Sequence, residues 1–140
     1  MSAAAIVINR LLAANGVTSI VNNRVYPVAP PQGTPPPAIV VHLVSTADVG
    51  RTIGAAGDYF RSVVQIDSLS AKEPSGDPSQ AIVLGEAVIL ALNGITKQTV
   101  AGCDDVDILL NDGSDFTEFD DLSQTYRRVT RFTVFWRRGS

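Results

Sequence analysis

A proline-rich segment near the N-terminus constrains the fold more than any other part of the chain. Six of the eight prolines lie between Tyr26 and Ala38. Proline fixes φ and cannot donate a backbone hydrogen bond, so this segment can form neither the interior of a helix nor a central strand. The β-branched run that follows, residues 38–46, strongly prefers strand conformation. We therefore predict a stiff, extended connector that leads the chain into a buried strand.

The composition is that of a globular protein with a thin polar cover. Of the 140 residues, 45% are hydrophobic and 18% are charged. We expect one domain over residues 1–140, with some apolar surface shared with partners. No apolar run approaches the roughly 18 residues that cross a membrane, and the N-terminus lacks the basic region of a signal peptide. With Cys103 as the single cysteine, no internal disulfide is expected, and we predict a protein assembled in the cytoplasm.

The spacing of apolar residues predicts two helices. The first covers residues 3–14 and is ended by Asn15-Gly16, because glycine takes the left-handed position after a helix without strain. The second begins with Asp77 as its N-cap and ends after Leu92. Both carry an apolar stripe, so both should cover the same hydrophobic core.

Four segments have the pattern of strands. The segment over residues 60–69 alternates apolar and polar side chains, which indicates an antiparallel strand with one wet face. A glycine-rich loop over residues 47–58 and an acidic loop over residues 111–123 connect the elements. We therefore predict an α+β fold, with an antiparallel sheet of about four strands and two helices packed on one face. The predicted strands cover residues 38–46, 60–69, 99–110 (interrupted near Gly102) and 126–137.

Charge is concentrated in the last third of the chain. Eight carboxylates lie between Asp104 and Asp121, and five arginines lie between Arg127 and Arg138. The net charge of −3 and the pI near 4.9 argue against a module that binds nucleic acid through a basic patch. Opposite patches suit head-to-tail contact between identical subunits. A solvated acidic loop beside an ordinary polar strand face is equally compatible with the charges alone.

No group of residues predicts catalysis or a cofactor. His42 is the only histidine, and the sequence offers it no nucleophile and no orienting carboxylate. Cys103 is typical of a small buried hydrophobe. Residues 111–115 resemble a fragment of a calcium loop but lack the spacing of the glycine and of the terminal glutamate that an EF-hand requires. We predict no enzymatic activity, no cofactor and no metal site.

Several short motifs together resemble one family of proteins. They are Asn23-Arg24-Val25-Tyr26-Pro27, the proline-led strand Pro36-Pro37-Ala38-Ile39-Val40-Val41, and the closing strand over residues 126–136 with its paired arginines. In this order, and with a short helix before them, they resemble the small tail-completion proteins of long-tailed bacteriophages, the tail terminators. The resemblance covers nearly the whole chain.

The resemblance implies a structural virion protein that is not an enzyme. Tail terminators form a six-fold ring on the head-proximal end of the tail tube, stop its polymerisation and dock on the head connector. For this chain, the resemblance implies contacts with copies of itself, with the tail tube protein and with a head connector or stopper protein. It also implies a place at the tail-neck junction after assembly in the bacterial host cytoplasm. DNA would pass through the lumen without sequence-specific binding, and no membrane is involved.

Two other functions stay open at this point. The chain could be another neck component, such as a head-side stopper or adaptor. It could also be a monomeric ligand-binding α+β domain, which would need a concave pocket with converging polar groups.

Ten residues are candidates for contacts with another subunit, the tube or the connector. Opposite charges suggest that Arg131 pairs with Asp115 or Asp120 of a neighbour. Aromatic side chains in the acidic loop need cover, either from a partner or from the edge of their own sheet. The alternative for the residues near the prolines is that they hold the connector to their own domain. The candidates are Arg24, Tyr26, Asp115, Phe116, Phe119, Asp120, Arg127, Val129, Arg131 and Phe135.

Overall fold

The computed structural model of the chain describes residues 2–28, 36–49, 59–71, 79–111, 115–120 and 125–138. Within these ranges the chain forms three helices and seven strands. The helices are α1 (Ala3–Ala13), α2 (Asn15–Val21) and α3 (Ser79–Leu92). The strands are β1 (Val25–Pro27), β2 (Ala38–Asp48), β3 (Tyr59–Ala71), β4 (Ile95–Val100), β5 (Cys103–Leu110), β6 (Phe116–Asp120) and β7 (Thr125–Arg138).

All seven strands belong to one mixed sheet. Its order is β1-β2-β3-β7-β5-β4, and β6 pairs with β7 off this path. β1 runs parallel to β2, and every other pair is antiparallel. β7 pairs with β3 along its length, and on its other side it pairs first with β6 and then with β5. The last strand in the chain is therefore central to the sheet.

The three helices cover one face of the sheet, which we call the helix side. Their inward apolar residues join those of the strands in one core, whose largest fully buried side chain is Phe132 of β7. Removing a large apolar side chain from water stabilises a fold by roughly 1.5–3 kcal/mol, so this layer is the main source of stability. The helices contribute Ala3, Ile6, Val7, Leu11, Val17, Val21, Leu84, Val88 and Leu92.

The predicted architecture of about four antiparallel strands and two helices is wrong. Within the described ranges there are seven strands, one parallel pair and three helices. The strands that the sequence pattern missed do not alternate apolar and polar residues: β1 has three residues beside the prolines, β6 is acidic, and β4 exposes residues 96–99. Pairing with an already apolar neighbour, rather than their own propensity, makes these segments strands.

The end of the first helix also differs from the prediction. α1 stops at Ala13, and Ala14 is extended with φ −94° and ψ 115°. Asn15 and Gly16 then begin α2 instead of ending α1. The break bends the two helices by 84°, and in the part of the chain described here no single helix has the length and apolarity of a membrane span. The bend lets both short helices turn their apolar side chains into the core.

Other expectations about the elements are confirmed. α3 ends at Leu92 and is followed by Gly94 in the left-handed region with φ 88°. The interruption predicted near Gly102 is a two-residue hairpin turn, because Ala101 and Gly102 both have positive φ, 51° and 79°. The predicted N-cap Asp77 and most of the glycine-rich loop, residues 50–58, lie outside the described residues.

Candidate interaction surfaces

Five side chains lie in one cross-strand row on the face of the sheet opposite the helices, which we call the outer face. Tyr26 is paired with Val40, Val40 with Asp67, Asp67 with Val129, and Val129 with Phe116. Directly paired residues point to the same face of a sheet. Three of the predicted interface residues, Tyr26, Val129 and Phe116, are thus brought together from distant parts of the chain. Phe116 is half exposed, whereas Val129 is already buried within the single chain.

A network of polar side chains on the outer face centres on the buried carboxylate of Asp67. His42 Nε2 lies 3.2 Å from Asp67 Oδ2, and Gln65 donates a hydrogen bond of 3.0 Å to Asp67 Oδ1. Arg127 Nη1 lies 3.5 Å from Oδ2, and the same guanidinium forms an ion pair with Glu118. A buried carboxylate is tolerated only when it is paired and hydrogen-bonded. The network therefore joins β2, β3, β7 and β6.

The sequence did not reveal this network. His42 and Asp67 are 25 residues apart, and only the register of β2 against β3 places Gln65 opposite His42 and Asp67 one row away. Asp67 belongs to the polar positions of the strand predicted over residues 60–69 with one wet face, yet its side chain is only 6% exposed. The one usable signal was a carboxylate inside a strand otherwise rich in apolar residues.

We expect Asp67→Asn to lower the free energy of unfolding by about 1–3 kcal/mol, because it removes the charge that three neighbouring side chains share. The measurement is urea denaturation at neutral pH. The matched control is Asp105→Asn, since Asp105 is 54% exposed and pairs with Arg137 at 3.2 Å; that change should stay within about 0.5 kcal/mol. Equal losses in the two variants would contradict a stabilising role for the network.

On the helix side, the guanidinium of Arg128 ties three segments together. It donates to both carboxylate oxygens of Asp115, at 2.8 and 2.6 Å, and to the carbonyl of Ile82, at 2.8 Å. Glu86 lies 3.1 Å from its Nη1. The side chain is only 8% exposed and lies across Gly85, where a Cβ would be 3.0 Å from Arg128 Nε and closer still to Cδ. A bidentate arginine pair of this kind is both strong and geometrically specific.

Arg128 was not among the predicted site residues, although the glycine inside an otherwise good helix was a signal for a close approach. Asp115 was predicted to pair with Arg131 of a neighbouring subunit. Within one chain it pairs with Arg128 instead. A contact of Asp115 with a neighbour would have to compete with this pair, and the contact with Arg131 stays a prediction.

The ion pair between Asp115 and Arg128 makes the free energy of unfolding depend on pH. The hydrogen bonds from Arg128 hold the pKa of Asp115 below its usual range, and Asp115 in turn raises the pKa of Arg128. An unfolded chain takes up the Asp115 proton near pH 4 while the folded chain still excludes it, so the stabilisation is present above that pH and is lost as the pH falls through the lowered pKa.

Asp115→Asn should therefore cost about 1 kcal/mol at pH 7, a figure reduced because the carboxylate is 38% exposed, and this cost should shrink toward pH 3. Urea denaturation of both proteins at the two pH values measures the difference. A cost that is the same at pH 7 and pH 3 would show that the charge of Asp115 is not what matters.

Two of the predicted contact residues, Arg24 and Tyr26, directly precede the proline segment. Arg24 Nε donates a hydrogen bond of 2.8 Å to the carbonyl of Pro37. Tyr26 lies in β1, and the backbone N–H of Ile39 bonds to the Arg24 carbonyl at 2.9 Å. These contacts hold the two ends of the proline segment to the same sheet. This is the alternative considered for Arg24, and it leaves the outer-face position of Tyr26 as the candidate contact.

The other predicted residues lie on both faces. Phe119 packs against Tyr126, with ring centroids 4.9 Å apart. Phe135 stacks with Tyr59 at 6.3 Å on the outer face. Arg131 donates a hydrogen bond of 3.0 Å to Gln65, next to the Asp67 network. Asp120 of β6 is paired with Thr125 of β7. The structure therefore gathers most candidates on the outer face but not at one point.

Two apolar patches are exposed on the helix side. The first, the α3 stripe, consists of Ile82, Val83 and Leu90, the last 83% exposed. The second consists of Leu43 and its neighbour Val44 on the free half of β2, which we define as residues 42–47, beyond the stretch that β1 covers. Its Leu43 pairs with the fully buried Val64, so it faces the helix side, yet it is 47% exposed. In the described ranges, the helices leave this part of the sheet uncovered.

The described residues contain no cluster of three or more His, Cys, Asp or Glu side chains that could hold a metal ion. Cys103 is fully buried, and burial raises the pKa of its thiol, which disfavours the thiolate that a nucleophile needs. Its position in the core agrees with the role of a small hydrophobe.

Comparison with solved structures identifies the fold first. A chain described as "Virion of native gene transfer agent (GTA) particle" has a similar structure, with a TM-score of 0.68 and 19% identity over 97% of this chain and 95% of that chain. At this identity the similarity establishes the fold, a sheet covered by helices that is also found in a phage-like particle. The comparison with curated proteins finds no match.

Comparison of the sequence with family models then identifies the family. The model of the family "Tail completion protein gp17" matches residues 5–137. The chain belongs to this tail completion family, as its motifs predicted. It is accordingly a structural protein of the bacteriophage virion, associated with the tail.

Proposed function

We propose that this chain is the tail terminator of its particle. Copies form a closed ring, with six subunits, on the head-proximal end of the tail tube, stop the polymerisation of the tube protein and present the surface on which the head connector docks. The observation that carries the proposal is membership of the tail completion family over residues 5–137. The work is done by shape and charge, without catalysis.

The distribution of exposed apolar surface supports a ring. A closed ring needs two unlike, complementary patches on each subunit, because each contact is heterologous. The α3 stripe and the free half of β2 are two such patches on different elements. The outer face, with Tyr26, Phe116 and Phe135, supplies a third surface for the tube or the connector. DNA passes through the lumen without sequence-specific binding, in keeping with the net charge of −3.

The second candidate is a head-side stopper or adaptor in the same neck. Electron microscopy of the purified protein mixed with tail tubes, and separately with portal-bearing heads, distinguishes the two. A terminator is expected to form a ring on one end of each tube and not to bind to the portals of heads that lack other neck proteins. Binding to portals with no effect on tube ends would favour the stopper, and failure to bind either would contradict both.

Sedimentation gives an independent measure of the ring. We expect a concentration-dependent shift from monomer to one closed oligomer, completed when tube ends are added. A monomer at every concentration, with and without tubes, would contradict the proposal.

A further inference from the structure

The outward face of α3 is apolar although solvent surrounds it. Its residues Ile82, Glu86 and Leu90 follow each other at helical spacing, with Val83 beside them. The inward residues Ala81, Leu84, Val88 and Leu92 are fully buried on the opposite side of the same helix. A helix that is apolar on all sides normally lies in a core. α3 therefore has the character of a buried helix, with one side still uncovered.

The only charged residue of α3 does not change this character. Glu86 is 60% exposed and lies 3.1 Å from Nη1 of the buried Arg128, which also pairs with Asp115, so these three side chains keep one net negative charge where α3 meets Arg128. Apart from this one carboxylate, α3 offers a charged partner nothing with which to pair. The surface suits an uncharged, apolar one.

The free half of β2 is such a surface. Residues 42–47 contain no aspartate, glutamate, lysine or arginine in a chain of which 18% is charged. Leu43 and Val44 are both about half exposed, and Val44 lies at the register shift where β2 bulges against β3. Leu43 points to the helix side, where the described helices of its own chain do not cover it.

We propose that the α3 stripe of one copy packs on Leu43 and Val44 of the next copy, so that α3 completes the helical layer of its neighbour. The contact is heterologous, and each subunit uses both surfaces once, as a closed ring requires. The inference rests on the proposed ring and specifies which surfaces form it. It assigns to α3 a role in assembly in addition to its role in the core.

Chemical cross-linking between copies tests the contact. In a Cys103→Ala background, one preparation carries Leu90→Cys and another carries Leu43→Cys; each is mixed with the other under assembly conditions and treated with a short bis-maleimide. The matched control replaces Leu43→Cys by Leu109→Cys, since Leu109 is 49% exposed but lies on the outer face, opposite Thr133. We expect at least tenfold more linked dimer with Leu43→Cys than with Leu109→Cys, and little in either preparation alone.

Sedimentation of the same mixtures separates the two proposals. Assembled rings in which the Leu90–Leu43 pair links no better than the control would overturn this contact and leave the ring intact. Monomers under all conditions, including with tail tubes, would overturn the ring itself and the contact with it. Thermal unfolding of each cysteine variant checks that it is folded, which is expected because Leu43, Leu90 and Leu109 are all substantially exposed.

Discussion

Gly85→Ala should destabilise the protein by roughly 2–4 kcal/mol, although alanine is the better helix former by about 1 kcal/mol. The added Cβ would lie 3.0 Å from Nε of Arg128 and overlap its Cδ. The guanidinium cannot easily move aside, because Asp115, Glu86 and the Ile82 carbonyl hold it. The variant must give up either helix packing or charge-assisted hydrogen bonds of a buried arginine.

The matched control is Gly16→Ala in α2. A Cβ at Gly16 meets nothing within 4 Å, so this change should stabilise the protein by about 0.5–1 kcal/mol. Urea denaturation of both variants gives the two free energies of unfolding. The double variant Gly85→Ala with Arg128→Ala should lose much less than the sum of the single changes, because the clash disappears with the arginine side chain. Additive losses, or a stabilising Gly85→Ala, would show that Arg128 does not occupy the space above Gly85.

Leu90→Glu should weaken association between subunits by at least tenfold while leaving the fold intact. Leu90 is 83% exposed in the single chain, so a charge there costs the monomer little. In the proposed contact with Leu43 and Val44, the carboxylate would be removed from water without a partner. A tenfold loss corresponds to only about 1.4 kcal/mol per contact, well below the cost of burying an unpaired charge.

Sedimentation at several concentrations measures this loss, and Leu109→Glu serves as the control of equal chemistry on the outer face. We expect Leu109→Glu to assemble nearly as the unmodified protein does. If both variants assemble normally, the α3 stripe is not a subunit contact. If only Leu109→Glu fails, the outer face rather than the helix side joins the subunits.

Local pattern was sufficient where an element's own side chains decide its structure. β3 and β7 alternate apolar and polar residues over most of their length, and α3 is followed closely by Gly94, so each could be predicted from local sequence. β1, β4 and β6 could not, because they are strands only by virtue of the neighbours with which they pair. The register of those pairs is a tertiary property that no short window contains.

The same distinction applies to the candidate surfaces. From the sequence, Arg127 and Arg131 of β7 were candidates for contacts with a partner, and Arg128 was not. In the structure Arg127 belongs to the outer-face network around Asp67, whereas its neighbour Arg128 is buried on the helix side. Adjacent residues in a strand point to opposite faces, so which arginine is buried depends on what each face meets. The apolar outward side of α3 was present in the sequence, but its exposure became evident only once the three helices had been placed.

The central position of β7 has a consequence for synthesis. On the ribosome, β2 and β3 can form a hairpin early, but β5 and β6 have no partner in the sheet's centre until residues 125–138 have emerged. A product released before that point would leave the inner edges of β3, β5 and β6 without hydrogen-bond partners, a state that is prone to aggregation. Only a chain that has its final strand can therefore complete the sheet, so we expect shortened copies to aggregate instead of entering a growing particle.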